Sequence, residues 1–192
     1  MTCILGYKYN NHIWMIADSA SSHYTMSYNK IWKSGEFFCG LSGTIRSSQV
    51  FKHLFDPKDI DLTNDMNIIM YDVCEQFKQI ATANGIAHVD HSIESVAYGD
   101  NPIRSVIGLI GIKNNLFYLC GDFAYIDVPD VCLAVGSGAP EALGASAAYL
   151  ESKHYVDDPV GLLTHSMNIS CKYNIGEVRP PFIILSNSED DG

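Results

Sequence analysis

Basic residues are scarce in this chain of 192: lysine and arginine number 12 against 22 acids, a formal net charge of −10. So acidic a balance counts against nucleic acid or an anionic membrane surface as a partner. Paired cysteines are missing too. Cys3, Cys39, Cys74, Cys120, Cys132 and Cys171 include no Cys-x-x-Cys motif and have no histidine at ligand spacing. That spacing supports neither a zinc site nor a disulfide framework. Several sit in apolar runs such as Phe38-Cys39 and Val131-Cys132-Leu133, where a free thiol behaves as a small buried hydrophobe. No apolar run reaches membrane length and no signal peptide is evident, so a reducing cytoplasm is the expected compartment. Repeats and linkers are likewise absent. With 47% apolar and 18% charged residues, residues 1–192 read as a single globular domain, long enough to build a core unaided.

The pattern of elements is mixed. Strands are expected over Ile4–Tyr9 and Ile13–Ala17 around an Asn10-Asn11 turn, and over Tyr28–Lys33 and Glu36–Leu41 around Ser34-Gly35. A helix is expected over Thr44–Phe55, broken by Pro57. A longer one follows over Asn64–Ala83, capped by Thr63 or Asn64, with Tyr71, Cys74 and Phe77 on its apolar stripe. The polar stretch His88–Pro102 reads as a loop or a frayed strand. His88, Asp90 and His91 lie close together in it but have no further ligand in view. Strands resume over Ser105–Ile112, Leu116–Gly121 and Val131–Val135. Two helices follow, one from Ala139 to about Ser152 and one over Val160–Lys172 behind Asp157-Asp158-Pro159. The last strand is Phe182–Leu185. Strands, two helices, strands, two helices and a strand suit an α+β fold with two sheets stacked between helical layers.

The chemistry starts at Thr2, behind an initiator methionine that is usually clipped when so small a residue follows. A clipped chain begins with a hydroxyl and a free α-amine on one residue. An α-amine with a reference pKa of about 7.7–8.0 accepts a proton near neutrality. Threonine with its own N-terminal amine is a recognised activated nucleophile.

Four further features accompany Thr2: Ala17-Asp18, whose acid lies sixteen residues on; Lys30-Ile31-Trp32; Leu41-Ser42-Gly43-Thr44; and Val135-Gly136-Ser137-Gly138-Ala139-Pro140. Together they resemble the proteasome β-subunit family of N-terminal nucleophile hydrolases, with the layout of the bacterial HslV peptidase. The resemblance spans nearly the whole chain. It implies a four-layer αββα sandwich, with Thr2 as nucleophile and Asp18 holding a catalytic lysine. Lys30 takes that place, with Lys33 as runner-up on the opposite strand face. Gly43 would supply the oxyanion amide, with Gly40 as runner-up. Leu41 and Ile45 would line the pocket for the substrate side chain. Ser137, in the family's Gly-Ser-Gly turn, would bond near the threonine amine and relay its proton. One departure falls in Asn168–Asn174, where many family members carry an aspartate and a serine. This chain has Asn168 and Ser170 there, and no aspartate.

The implied activity is a threonine-type peptidase that needs no metal or organic cofactor. Its expected partners are further copies in a homo-oligomeric ring, unfolded protein or peptide as substrate, and an ATP-driven unfoldase. Two other readings use the same residues: a small-molecule amidase of the same fold, and a proteasome-like scaffold or interaction protein without activity.

Overall fold

The computed structural model describes residues 2–19, 28–86, 106–127, 131–152, 157–174 and 178–187. The histidines of the polar stretch 88–102 lie outside them. The chain opens with strands β1 (Ile4–Tyr9) and β2 (His12–Asp18), paired antiparallel from Ile4↔Ala17 to Tyr9↔His12. Asn10 and Asn11 between them have φ of 49° and 63°. Asparagine tolerates this left-handed conformation, and two such residues match the twist of a tight hairpin.

Strands β3 (Ile31–Ser34) and β4 (Phe37–Ser42) follow, then helices α1 (Ile45–Leu54) and α2 (Met66–Ala83). Thr44 caps α1, its hydroxyl accepting from Ser47 N–H at 3.1 Å. The cap residue of α2 is Asp65, one beyond the expected pair, and its side chain makes no capping bond. Next come β5 (Ile107–Ile112), β6 (Asn115–Leu119), a short β7 (Tyr125–Asp127) and β8 (Cys132–Val135). Helices α3 (Ala139–Glu151) and α4 (Pro159–Tyr173) and strand β9 (Phe182–Ser186) complete the described chain.

The strands form two antiparallel sheets, ordered β8-β1-β2-β9 and β3-β4-β5-β6-β7. Period-two alternation sorts their side chains between three cores. Ile4, Ile13, Met15, Ala17, Ile31 and Phe38 meet between the sheets. Leu5, Tyr7 and Ile16 point the other way, onto Leu162, Leu163 and Met167 of α4. Phe37, Cys39 and Leu41 pack with Phe51 of α1 and Val73 and Phe77 of α2. The architecture is therefore an α+β sandwich of four layers: α3 and α4, the first sheet, the second sheet, then α1 and α2.

Gly40 shows how closely the sheets approach. A Cβ there would stand 2.9 Å from the Ile4 side chain and 3.0 Å from the Met15 sulfur. That glycine serves sheet packing.

Candidate active site

The site forms where the start of β1, the end of β2, the lead-in to β3 and the turn before α3 converge. Asp18 closes β2, is fully buried, and accepts from the backbone N–H of Cys3 at 2.8 Å. The amide of Asp18 returns the contact to the Cys3 carbonyl at 3.2 Å. This reciprocal pair fixes the residue after Thr2 against the acid. Lys30 sits one residue ahead of β3, 4% exposed, with Nζ 2.9 Å from both Asp18 carboxylate oxygens. Burial pushes the Lys30 ammonium below its ordinary range, and the charge and hydrogen bonds of Asp18 work against that. Lys33, by contrast, is exposed and lies over the ring of Phe38.

On the other side, Thr2 N–H donates to Ser137 Oγ at 3.4 Å, and the same hydroxyl is 3.4 Å from the Thr2 carbonyl oxygen. A hydroxyl can accept one and donate the other. Gly138 N–H also reaches the Thr2 carbonyl, at 3.3 Å. The turn comes this close because of its first glycine. Gly136 has φ of +100°, and a Cβ on it would lie 2.1 Å from the Thr2 carbonyl oxygen. Both the backbone conformation and the contact require glycine.

The arrangement thus brings together Thr2, Asp18, Lys30 and Ser137. Thr2 is 5% exposed, Asp18 and Lys30 are buried as a pair, and Ser137 is exposed. Gly43 lies exposed in the bend between β4 and Thr44. The strand leading to it runs beside the lysine, since Leu41 N–H donates to the Lys30 carbonyl at 3.2 Å. The two pocket residues part company. The Leu41 side chain is 1% exposed within the core under α1 and α2, whereas Ile45 is 46% exposed at the start of α1.

Two residues near the end of α4 also reach this turn. Ser170, fully buried, donates from Oγ to the Gly138 carbonyl at 2.8 Å, and Asn174 Nδ2 donates to the Ser137 carbonyl at 2.9 Å. Asn174 closes the stretch in which the family resemblance expects an aspartate and a serine, and the packing of α4 against the turn supplies its contact. Cys3, beneath Thr2, has its thiol pushed up to about 12 by burial, opposed in part by its contact with the Ser170 hydroxyl. It is a packing group, since a thiol of that kind is almost wholly protonated near neutrality. Among the described residues no three histidine, cysteine or acidic side chains are grouped to hold a metal ion.

No protein-family model and no curated protein sequence matches the chain. Solved structures do. BPH from Thiobacillus denitrificans, in complex with epoxomicin, aligns with a TM-score of 0.71 at 16% identity, covering 96% of this chain and 97% of that one. HslV from Trypanosoma brucei gives 0.68 at 13% identity, over 96% and 98% of the two chains. Anbu from Pseudomonas aeruginosa, solved as a helical assembly, gives 0.62 at 15% identity, over 97% and 80%.

The fold is that of the proteasome-like N-terminal nucleophile hydrolases. In this frame Thr2 stands at the head of the first strand, facing the Gly-Ser-Gly turn. Among the described residues no helix is long and apolar enough to cross a membrane.

Proposed function

We propose that this chain is a threonine-type peptidase whose nucleophile, Thr2, is exposed by removal of Met1. The observation that carries the reading is the contact of Thr2 N–H with Ser137 Oγ while the next residue, Cys3, is bonded to the buried Asp18 that holds Lys30. Removal of Met1 turns the Thr2 nitrogen from a peptide amide into an amine. The Thr2 hydroxyl then attacks the substrate carbonyl carbon while the amine takes its proton, with Ser137 Oγ within reach of that nitrogen. The developing oxyanion is held by the Gly43 amide. The protonated amine next gives its proton to the departing substrate nitrogen, leaving an ester on Thr2. Water attacks the ester with the amine again as base, and releases the acid product.

The Lys30 ammonium, held by Asp18 in a low-dielectric setting, favours the free amine and the developing negative charge. Ile45 is the exposed apolar residue nearest Gly43 in the chain and is assigned to the substrate side-chain pocket, with Leu41 as its buried support. The substrate is peptide or unfolded protein, admitted to a ring of identical chains. The helical assembly of Anbu supports self-association on this fold. An ATP-driven unfoldase is the partner such a ring would use.

BPH binds epoxomicin, which makes an epoxyketone a suitable probe. The test is the intact mass of purified protein before and after incubation with it. The expected result is a chain lacking Met1 that gains one adduct, with no adduct on Thr2→Ala. A chain that keeps Met1 and gains nothing would overturn the peptidase and favour a scaffold. Labelling without cleavage of any peptide would move the assignment to a small-molecule amidase.

A further inference from the structure

We infer that Ser19 is a positioning residue for the Asp18–Lys30 pair; its consequence in catalysis rests on the peptidase reading. Asn187 N–H donates to the Ile13 carbonyl at 3.3 Å. Antiparallel alternation then makes Met15↔Leu185 and Ala17↔Ile183 the hydrogen-bonded pairs of β2 and β9, and Asp18↔Phe182 a non-bonded one. The next bonded pair would be Ser19 with Pro181. Proline has no N–H to give, and the ladder stops there, one residue past Asp18. Ser19 closes it with its side chain, Oγ donating to the Pro181 carbonyl at 2.8 Å.

The Ser19 carbonyl, offered no donor by Pro181, accepts instead from Tyr28 N–H at 3.4 Å. Tyr28 lies two residues ahead of Lys30, whose own carbonyl is taken by Leu41 N–H at 3.2 Å. Ser19 therefore joins the two stretches that carry the pair. It follows Asp18 directly, it is tied sideways to the lead-in of β9, and it holds the backbone just ahead of Lys30. In that arrangement Nζ stands 2.9 Å from both carboxylate oxygens. The contacts of Cys3 fix Asp18 against β1 and do not reach the stretch ahead of Lys30.

Burial tells which partner depends on the hydroxyl bond. Pro181 is exposed, whereas Ser19 is 2% exposed, and a buried hydroxyl is costly unless it is bonded. Alanine at this position would bury no polar group and would fit the same space. It would also free the backbone at position 19, through which Asp18 and Tyr28 are joined.

The test uses full-length wild type, Ser19→Ala and Ser19→Thr, each with Met1 removed. Hydrogen exchange is followed by NMR at single amides, alongside the urea midpoint and peptide hydrolysis. Three amides report on the pair: Cys3, bonded to the Asp18 carboxylate; Tyr28, bonded to the Ser19 carbonyl; and Leu41, bonded to the Lys30 carbonyl. Val73 and Phe77, in the middle of α2, report on the fold as a whole. In Ser19→Ala the three site amides should speed up about tenfold more than Val73 and Phe77, as expected for the loss of one hydrogen bond. Ser19→Thr, which keeps a hydroxyl, should restore part of the protection. In hydrolysis, kcat of Ser19→Ala should fall about tenfold with KM within about twofold. Site amides that overlay wild type, or equal acceleration of both sets with a lower urea midpoint, would overturn the inference and leave Ser19 as an ordinary buried hydroxyl. Exchange needs no substrate. Wild type that hydrolyses nothing would end the peptidase reading, while the split between the two sets of amides would still decide this one.

Discussion

The two helical layers of this sandwich are built on different physics. Under α1 and α2 the core is aromatic: Phe51 stacks on Phe77 with ring centroids 4.9 Å apart, Phe55 meets Phe77 at 4.9 Å, and Phe123 closes the group. Its buried polar side chains, Ser47 and Ser48, are confined to the first turn of α1. Under and between α3 and α4 hydroxyls recur. Ser146 and Ser166 bond to each other at 2.9 Å and each bonds back to its own helix, while Ser170 reaches Gly138. Large rings gain by area and tolerate small shifts in orientation, whereas hydrogen bonds fix one register. The aromatic layer supplies bulk stability, and the hydroxyl-rich layer aligns the turn that faces Thr2.

The comparison is tested most severely by pairing two large losses of stability. Lys30→Met strands the buried Asp18 carboxylate and should cost about 3–5 kcal/mol, with epoxyketone labelling of Thr2 abolished in whatever remains folded. Phe77→Ala should cost a similar 3–5 kcal/mol through its cavity. Its folded fraction should nonetheless label at the wild-type rate. Chemical denaturation and timed mass spectrometry on both variants separate the cases, and a Phe77→Ala protein that folds but cannot label would erase the proposed division.

A smaller effect comes from pH. Burial raises the thiols of Cys3, on the hydroxyl-rich side, and Cys74, on the aromatic side, each to about 12. Unfolded thiols ionise near 8.5–9, so the native state keeps protons that the unfolded chain releases. Stability due to these groups is complete below about pH 8.5 and is lost as pH rises toward 12. Each should cost about 1.4 kcal/mol by pH 10. Lys30, whose ammonium is lowered, acts with the opposite sign below its ordinary value of 10.5. Urea midpoints at pH 8 and pH 10 should converge in Cys74→Ala relative to wild type. An unchanged gap would mean that Cys74 titrates freely in the native state.

The smallest loss is expected in Ser166→Ala, about 1 kcal/mol for one hydroxyl contact between α3 and α4. The sharper readout is the Thr2 labelling rate, which should slow if that contact sets the register of the turn. A change in stability alone would confine alignment to Ser170 and Asn174.

Much of this was legible in the sequence, for local reasons. The first hairpin is written in its alternation and in Asn10-Asn11, and α4 in Asp158-Pro159. The hidden parts depend on packing or on short length. The three residues of β7 are too few to show a period. The resemblance assigns Leu41 to the substrate pocket; its packing with Phe37 and Cys39 under the helices is a matter of strand face that the resemblance does not address. Thr2, Asp18, Lys30 and Ser137 were each named from sequence, and the structure brings them into one neighbourhood. The resemblance marks the stretch Asn168–Asn174, but the contacts of Ser170 and Asn174 with the Gly-Ser-Gly turn come from the packing of α4, since these residues lie far from Ser137 in the chain.

Chain starts usually fray into solvent, but here Thr2 is 5% exposed and its carbonyl is taken by the Gly138 amide. Gly136 leaves no room for even a methyl group beside it. For anyone handling the molecule this becomes a rule of attachment. An affinity handle, dye or surface tether joined ahead of Thr2 would be attached at a buried residue, beside the groups the proposed peptidase relies on. Cargo belongs on the outward face of α2, where an exposed side chain such as Tyr71 lies in the helical layer on the far side of the second sheet.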